Sequence, residues 1–200
     1  MTIGVSEALP PRAALLSEEL LSPLGRRWRH VQGVARRAGE LALLAPPELR
    51  PTIVAAAWLH DVGYAPELVV TGLHPLDGAR HLRPAEWPDL VVSLVAYHTG
   101  AQFEAEERGL ASELAEFAPP PDELLDLVTT ADLTTTPDGE DVEPEDRLSE
   151  IFSRYAPGDP VHRAVSRSAH SLLAATERVN RRRWAADARS AYEGLPDRPL

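Results

Sequence analysis

The chain has 200 residues, of which 44% are hydrophobic and 26% charged, a composition that suits a folded globular protein with a core of its own. A net charge of −11 argues against a general nucleic-acid binder, which needs clustered positive charge. The absence of cysteine excludes disulfides and thiolate metal sites.

All 20 basic residues are Arg, so any phosphate clamp must use Arg, His, backbone or metal. Two basic groups, Arg26-Arg27-Trp28-Arg29 and Arg181-Arg182-Arg183, read as solvated helix faces. No apolar run is long enough to span a membrane. The N-terminus lacks the basic start and apolar stretch of a secretory signal, and the expected location is the cytoplasm.

In chain order, residues 1 to about 11 read as a loose tail and Ala13 to Leu21 as a short helix. Ser22-Pro23 reads as the start of a helix running to about Leu44, with Ser as cap and Pro at the first position. Val31, Val34, Ala38 and Leu41 recur at helical spacing, and His30 shares their inward face. The next helix starts near Pro51, contains Ile53, Val54, Ala57 and His60, and stops at Gly63. A loop follows to Gly72. His74-Pro75 opens another helix, in which Gly78 permits close approach of a backbone or ligand.

Trp87 to His98 is strongly apolar. A β-strand over Leu90 to Tyr97 is the rival reading, but length and helical neighbours favour a helix. Glu104 to Phe117 reads as an acidic amphipathic helix and residues 118–121 as a linker. A helix from Pro121 then brings Asp132 to its apolar face. Thr136 to Gly139 is a turn, Glu143 to Tyr155 a helix, and Val161 to about Ala188 a long last helix before a frayed end. The expected fold is an all-α bundle of about seven to nine helices.

The inward polar residues are His30, His60, Asp61, His74, His98 and Asp132, each at or near the end of an apolar helical segment or on its inward face. A buried carboxylate beside an imidazole demands a partner. Four imidazoles and two carboxylates suit Fe, Mn, Zn, Co or Ni better than Ca, and bundles build such sites from facing helices. Six groups are too many for one ion with an open position. They suit two divalent ions, with Asp61 best placed to bridge. Without metal, Asp61 and Asp132 are expected to repel each other and shift upward in pKa.

The order His30, His60-Asp61, His74, His98, Asp132 resembles the HD-domain superfamily of metal-dependent phosphohydrolases over roughly Leu24 to Thr136. His74 with Gly78-Ala79, and His98 in YHTGA, resemble the six-ligand, two-metal branch, which includes the diadenosine tetraphosphate hydrolases. The resemblance implies one HD domain over 1–200, with its core at about 22–136 and C-terminal helices over 143–188. It implies His30, His60, Asp61 and Asp132 on a first ion, and His74 and His98 with Asp61 on a second. Asp61, His74 and His98 would be catalytic through their metals. The implied activity is hydrolysis of a nucleotide or other small phosphorylated metabolite by a metal-activated hydroxide.

Related two-metal sequences often carry Lys where this chain has Tyr64. Arg147 is the candidate replacement, its other reading being a surface ion pair with Glu143 or Glu150. Tyr64, Thr99 and Arg147 are the candidate substrate contacts. Asp77 and Thr99 are candidates to support the ligands, and His81 a weaker one; His162 and His170 read as structural or surface residues. Two alternatives use the same scaffold: a di-iron oxygenase, and a metal- or ligand-sensing module without catalysis.

Overall fold

The computed structural model describes residues 8–193, with side chains described to residue 189. Among them are nine helices of eight residues or more, one single-turn helix, and no strand beyond an isolated bridge between Thr135 and Asp141. In order these are α1 (Leu9–Leu21), α2 (Arg26–Leu41), α3 (Arg50–Leu59), α4 (His74–Leu82), α5 (Asp89–Tyr97), α6 (Ala101–Arg108), the single turn α7 (Ala111–Leu114), α8 (Asp122–Leu133), α9 (Pro144–Arg154) and α10 (Pro160–Glu193). The all-α expectation holds, and Leu90 to Tyr97 is helical.

Several boundaries move for local reasons. α1 begins at Leu9, so residues 9–11 of the expected tail are helical; residues 1–7 and the expected frayed end, residues 194–200, lie outside the described residues. Ser22 closes α1 instead of capping α2, because Gly25 at φ 50° breaks the chain between a short turn and Arg26. The expected helix over Glu104 to Phe117 is split at Gly109, which takes φ 70° and ends α6. The last helix runs to Glu193, past Ala188.

α3 is the centre of the bundle. Its sequence RPTIVAAAWL is apolar nearly all round, and Ile53, Ala55, Ala56, Ala57 and Leu59 are all buried. It packs against α1, α2 and α5, and its small alanines let those neighbours approach. α2 buries the predicted stripe of Val31, Val34, Ala38 and Leu41, and His30 with it. α8 packs between α2, α3 and α10, while α10 runs along α6, α8 and α9. A separate small cluster of Leu133, Leu148 and Leu172 joins α8, α9 and α10.

Two close backbone approaches position the functional residues. A Cβ on Gly63 would lie 2.0 Å from the His74 carbonyl oxygen and 2.7 Å from the Gly78 nitrogen. α3 ends at Leu59, before the expected stop at Gly63; Gly63 instead lies in the short turn Val62–Tyr64 and seats α4 directly against the His60-Asp61 turn. A Cβ on Gly33 would lie 2.5 Å from the Gly139 carbonyl oxygen. The Thr136–Gly139 turn thus docks onto α2 beside His30, closed by a Gly139 N–H bond to the Thr136 carbonyl of 2.9 Å.

Candidate metal centre

Five helices deliver the six predicted side chains to one place. His30 comes from the middle of α2, His60 and Asp61 follow the end of α3, His74 opens α4, His98 closes α5, and Asp132 lies one residue from the end of α8. His30, His60, Asp61, His98 and Asp132 are buried, and His74 is partly exposed. His30 Nε2 lies 3.0 Å from Asp132 Oδ1 and 3.8 Å from Asp61 Oδ2. His60 Nε2 is 3.3 Å from Asp61 Oδ2, and His74 Nε2 is 3.3 Å from Asp61 Oδ1. Ligand atoms of His30, His60 and Asp132 lie within 4.8 Å of one another, as do those of His60, Asp61 and His98.

The backbone fixes which ring nitrogens face inward. His30 Nδ1 lies 3.0 Å from the Thr136 carbonyl, His60 Nδ1 2.7 Å from that of Ala57, and His98 Nδ1 2.7 Å from that of Val95. A carbonyl only accepts, so each Nδ1 carries a proton and Nε2 is the nitrogen turned to the cluster, where a cation would take it. This arrangement orients metal-binding imidazoles. His60 Nε2 is buried and, with Asp61 Oδ2 at 3.3 Å, makes no well-formed hydrogen bond among the described residues, and the Nε2 atoms of His74 and His98 are 3.1 Å apart. An orphaned buried nitrogen and two converging ring nitrogens fit a divalent cation as their missing partner.

The electrostatics correct the expectation of raised carboxyl pKa values. Burial alone would raise Asp61, but the Arg27 guanidinium and His60 outweigh it and hold the carboxyl well below its usual range. Burial is likewise outweighed at Asp132, where the His30 hydrogen bond and charge pull the pKa down. The repulsion of Asp132 by Asp61 is present, but histidines and an arginine outweigh it. For His98, burial and the neighbouring His60 and His74 charges lower the pKa to about 3, so its imidazole stays neutral at ordinary pH.

Arg27 is the functional residue that the sequence reading missed. It does not sit on a solvated face: its Nη1 donates to Asp61 Oδ2 at 2.7 Å. Its guanidinium also lies over the Tyr64 ring at 4.0 Å. Tyr64 in turn stacks on His74, with centroids 4.0 Å apart. A signal was present, since residues three apart share a helix face and Arg27 precedes His30 by three. Arg26 and Arg29 do face solvent, where both pair with Asp138.

The other predicted residues divide. Thr99 takes a left-handed backbone, φ 46° and ψ 42°, and donates its hydroxyl to Asp132 Oδ2 at 2.5 Å. Asp77 accepts backbone N–H bonds from Val70, Thr71 and Gly72 and so ties down the loop before His74. His81 faces a separate groove with Glu67 and Leu68. His162 bonds the Tyr155 carbonyl, and His170 is exposed. Arg147 pairs with Glu150, as one reading had it, but is buried rather than on the surface.

A cavity of about 110 Å³ opens beside the cluster. Asp61, His74, His98 and Asp132 form its floor, and Arg27, Tyr64, Thr99, Arg147, Arg154 and Tyr155 are among the residues of its walls. Arg154 and Tyr155 were not expected there, although Arg147 and Arg154 lie two turns apart on one face of α9.

Fold and site together define an all-helical protein with a buried histidine–carboxylate centre suited to divalent metal. The family model described as HD domain matches residues 27–151, and the chain belongs to that family, most of whose members are metal-dependent hydrolases. The matched region starts at Arg27 and includes Arg147. No curated protein and no solved structure matches the chain. Among the described residues, no helix is long and apolar enough to cross a membrane.

Proposed function

We propose that the chain is a two-metal phosphohydrolase acting on a small phosphorylated metabolite such as a nucleotide. The observation that carries this reading is the division of labour at Asp61. Its Oδ2 faces His60 and, at longer range, His30, while its Oδ1 faces His74. A carboxylate that turns its two oxygens to different histidines is suited to bridge two cations. His30, His60, Asp61 and Asp132 would hold one ion, and His74 and His98 with Asp61 the other. Bound there, divalent ions supply an activated water and neutralise charge on a phosphoryl group.

The chain's own groups support that chemistry. Arg27 keeps Asp61 ionised and adds positive charge at the cavity wall. Thr99 orients Asp132 through its hydroxyl and also lines the cavity, where it can meet substrate. Tyr64, held between Arg27 and His74, occupies the place of the family lysine, and the Arg27 guanidinium lies over its ring. The neutral His98 is ready to ligate without first losing a proton.

The test is metal content together with a phosphatase panel of nucleotides and dinucleoside polyphosphates, run in air and anaerobically. The wild type is expected to hold two ions per chain, His98→Ala one, and Asp61→Ala none, with hydrolysis independent of O₂. Full metal content in His98→Ala would remove the second site. An absolute O₂ requirement would replace the hydrolase reading by an oxygenase.

A further inference from the structure

The C-terminal wall of the cavity carries a charge arrangement that the metal centre does not use. Arg147, Glu150 and Arg154 lie on one face of α9 at positions i, i+3 and i+7. The Glu150 carboxylate accepts from both guanidiniums, one oxygen from Arg147 and the other from Arg154. One carboxylate between two guanidiniums leaves an excess positive charge. Arg147 is only 7% exposed, and its Nε is buried with no partner among the described residues. Burying a charged donor that goes unused is unfavourable unless something else satisfies it.

The neighbours do not supply the missing partner. Glu104 lines the same cavity, but its carboxylate is held by Arg108 at 2.7 Å. Arg27 is engaged with Asp61 at 2.7 Å, so the spare cationic capacity lies on α9. Ile151, Val161 and Val165, each half-buried, add apolar surface to this wall, and a charge pairing made against apolar surface is stronger than one made in water.

We propose that Arg147 and Arg154, clamped by Glu150, form a second anion subsite, so that the substrate carries a second anionic group close to the one at the metal centre. This rests on the reading of the centre as phosphoryl-binding. Arg147 and Arg154 line the same cavity as Asp61, His74, His98 and Asp132, so the two anionic groups belong to one small substrate. That chemistry belongs to a phosphoanhydride or to a phosphorylated carboxylic acid. Glu150 has a positioning role: it holds both guanidiniums in place while neutralising only one.

The experiment uses metal-loaded protein and three non-hydrolysable probes in calorimetric titrations. Methylphosphonate offers one anionic group, methylenediphosphonate two phosphonates, and phosphonoacetate a phosphonate and a carboxylate. Wild-type protein is expected to bind one of the two-group probes at least about tenfold more tightly than methylphosphonate, as charge-assisted hydrogen bonds allow. Which probe gains identifies the second group. In Arg147→Met and in Arg154→Met that advantage is expected to shrink to about twofold or less. Arg154 is more exposed and carries the test if the Arg147 variant does not fold. No advantage in the wild type, or an advantage unchanged in the folded variants, overturns the subsite. If methylphosphonate does not bind but a two-group probe does, with dependence on these arginines, the phosphoryl reading of the centre falls and the subsite stands. If no probe binds, the subsite falls as well.

Discussion

Gly63 and His74 are in backbone contact, so close that any side chain at residue 63 would collide with the His74 carbonyl oxygen. The turn after α3 and the first residue of α4 are therefore one rigid unit, and this unit sets His74 beside Asp61. Gly63→Ala must push α4 away. It is expected to destabilise the protein by about 1–3 kcal/mol, as overpacking in a close-packed interior does. It should also lower metal content selectively, because His74 moves while His30, His60 and Asp132 do not. Denaturant melts and metal analysis of the variant check both; a variant with wild-type stability and metal content would show that α4 is not held by this contact.

Thr99 holds a conformation that a β-branched residue adopts at a cost of about 1–3 kcal/mol. Its hydroxyl bond to the Asp132 carboxylate offsets that strain. Thr99→Ala removes the bond and keeps much of the strain, whereas Thr99→Gly removes both. The glycine variant is thus expected to be the more stable of the two by about 1 kcal/mol. Both should bind metal less tightly than wild type, since Asp132 loses its orienting donor. Paired urea titrations decide this, and an alanine variant as stable as the glycine variant would contradict it.

The Arg27–Asp61 pair predicts a state-dependent effect. The Asp61 side chain is 3% exposed and that of Arg27 24%. Arg27→Met leaves a buried carboxylate without its cation, which in the metal-free protein should destabilise by about 3 kcal/mol, the low end for a buried pair because Arg27 is partly solvated. Divalent metal neutralises the same carboxylate, so loaded protein should lose clearly less. Thermal melts of wild type and Arg27→Met with and without chelator measure the difference, and equal losses in the two states would count against it.

The pH dependence of the metal-free protein follows from two histidines acting in separate windows. His60 is buried, which opposes its charge, but Asp61 and Asp132 raise its pKa above the ordinary value. Its contribution is present below about pH 6.5 and lost as pH rises through the folded-state pKa. His98 is lowered to about 3, so the unfolded chain takes up a proton there that the folded chain refuses, and stability falls as pH drops from about 6.5. Metal-free protein should therefore be most stable near pH 6.5. Asp61 and Asp132, both depressed, add their own loss only below about pH 4. In His98→Gln the acid-side loss should begin only in that carboxylate range. Urea melts across pH 3–8 test it; an unchanged acid limb in the variant would assign the loss to another group.

The helical architecture and the six converging side chains were legible in the sequence for a physical reason. Apolar periodicity marks each helix, and a histidine or aspartate on an apolar face stands out because burying it is unfavourable without a partner. His30 on the α2 stripe, Asp132 after LVTTA and the His60-Asp61 pair were visible in that way. What tertiary structure alone decided is who answers those charges. Arg27 looked like one of a run of solvated arginines, and only the packing of α2 on α3 turns it onto Asp61 while Arg26 and Arg29 go to Asp138. Gly63 looked like a helix stop, and only the docking of α4 makes it a contact. The α9 wall was out of reach for the same reason. Periodicity along one helix reports which residues share a face, but which face meets the centre depends on how α8, α9 and α10 pack together, far apart in sequence from the first histidine.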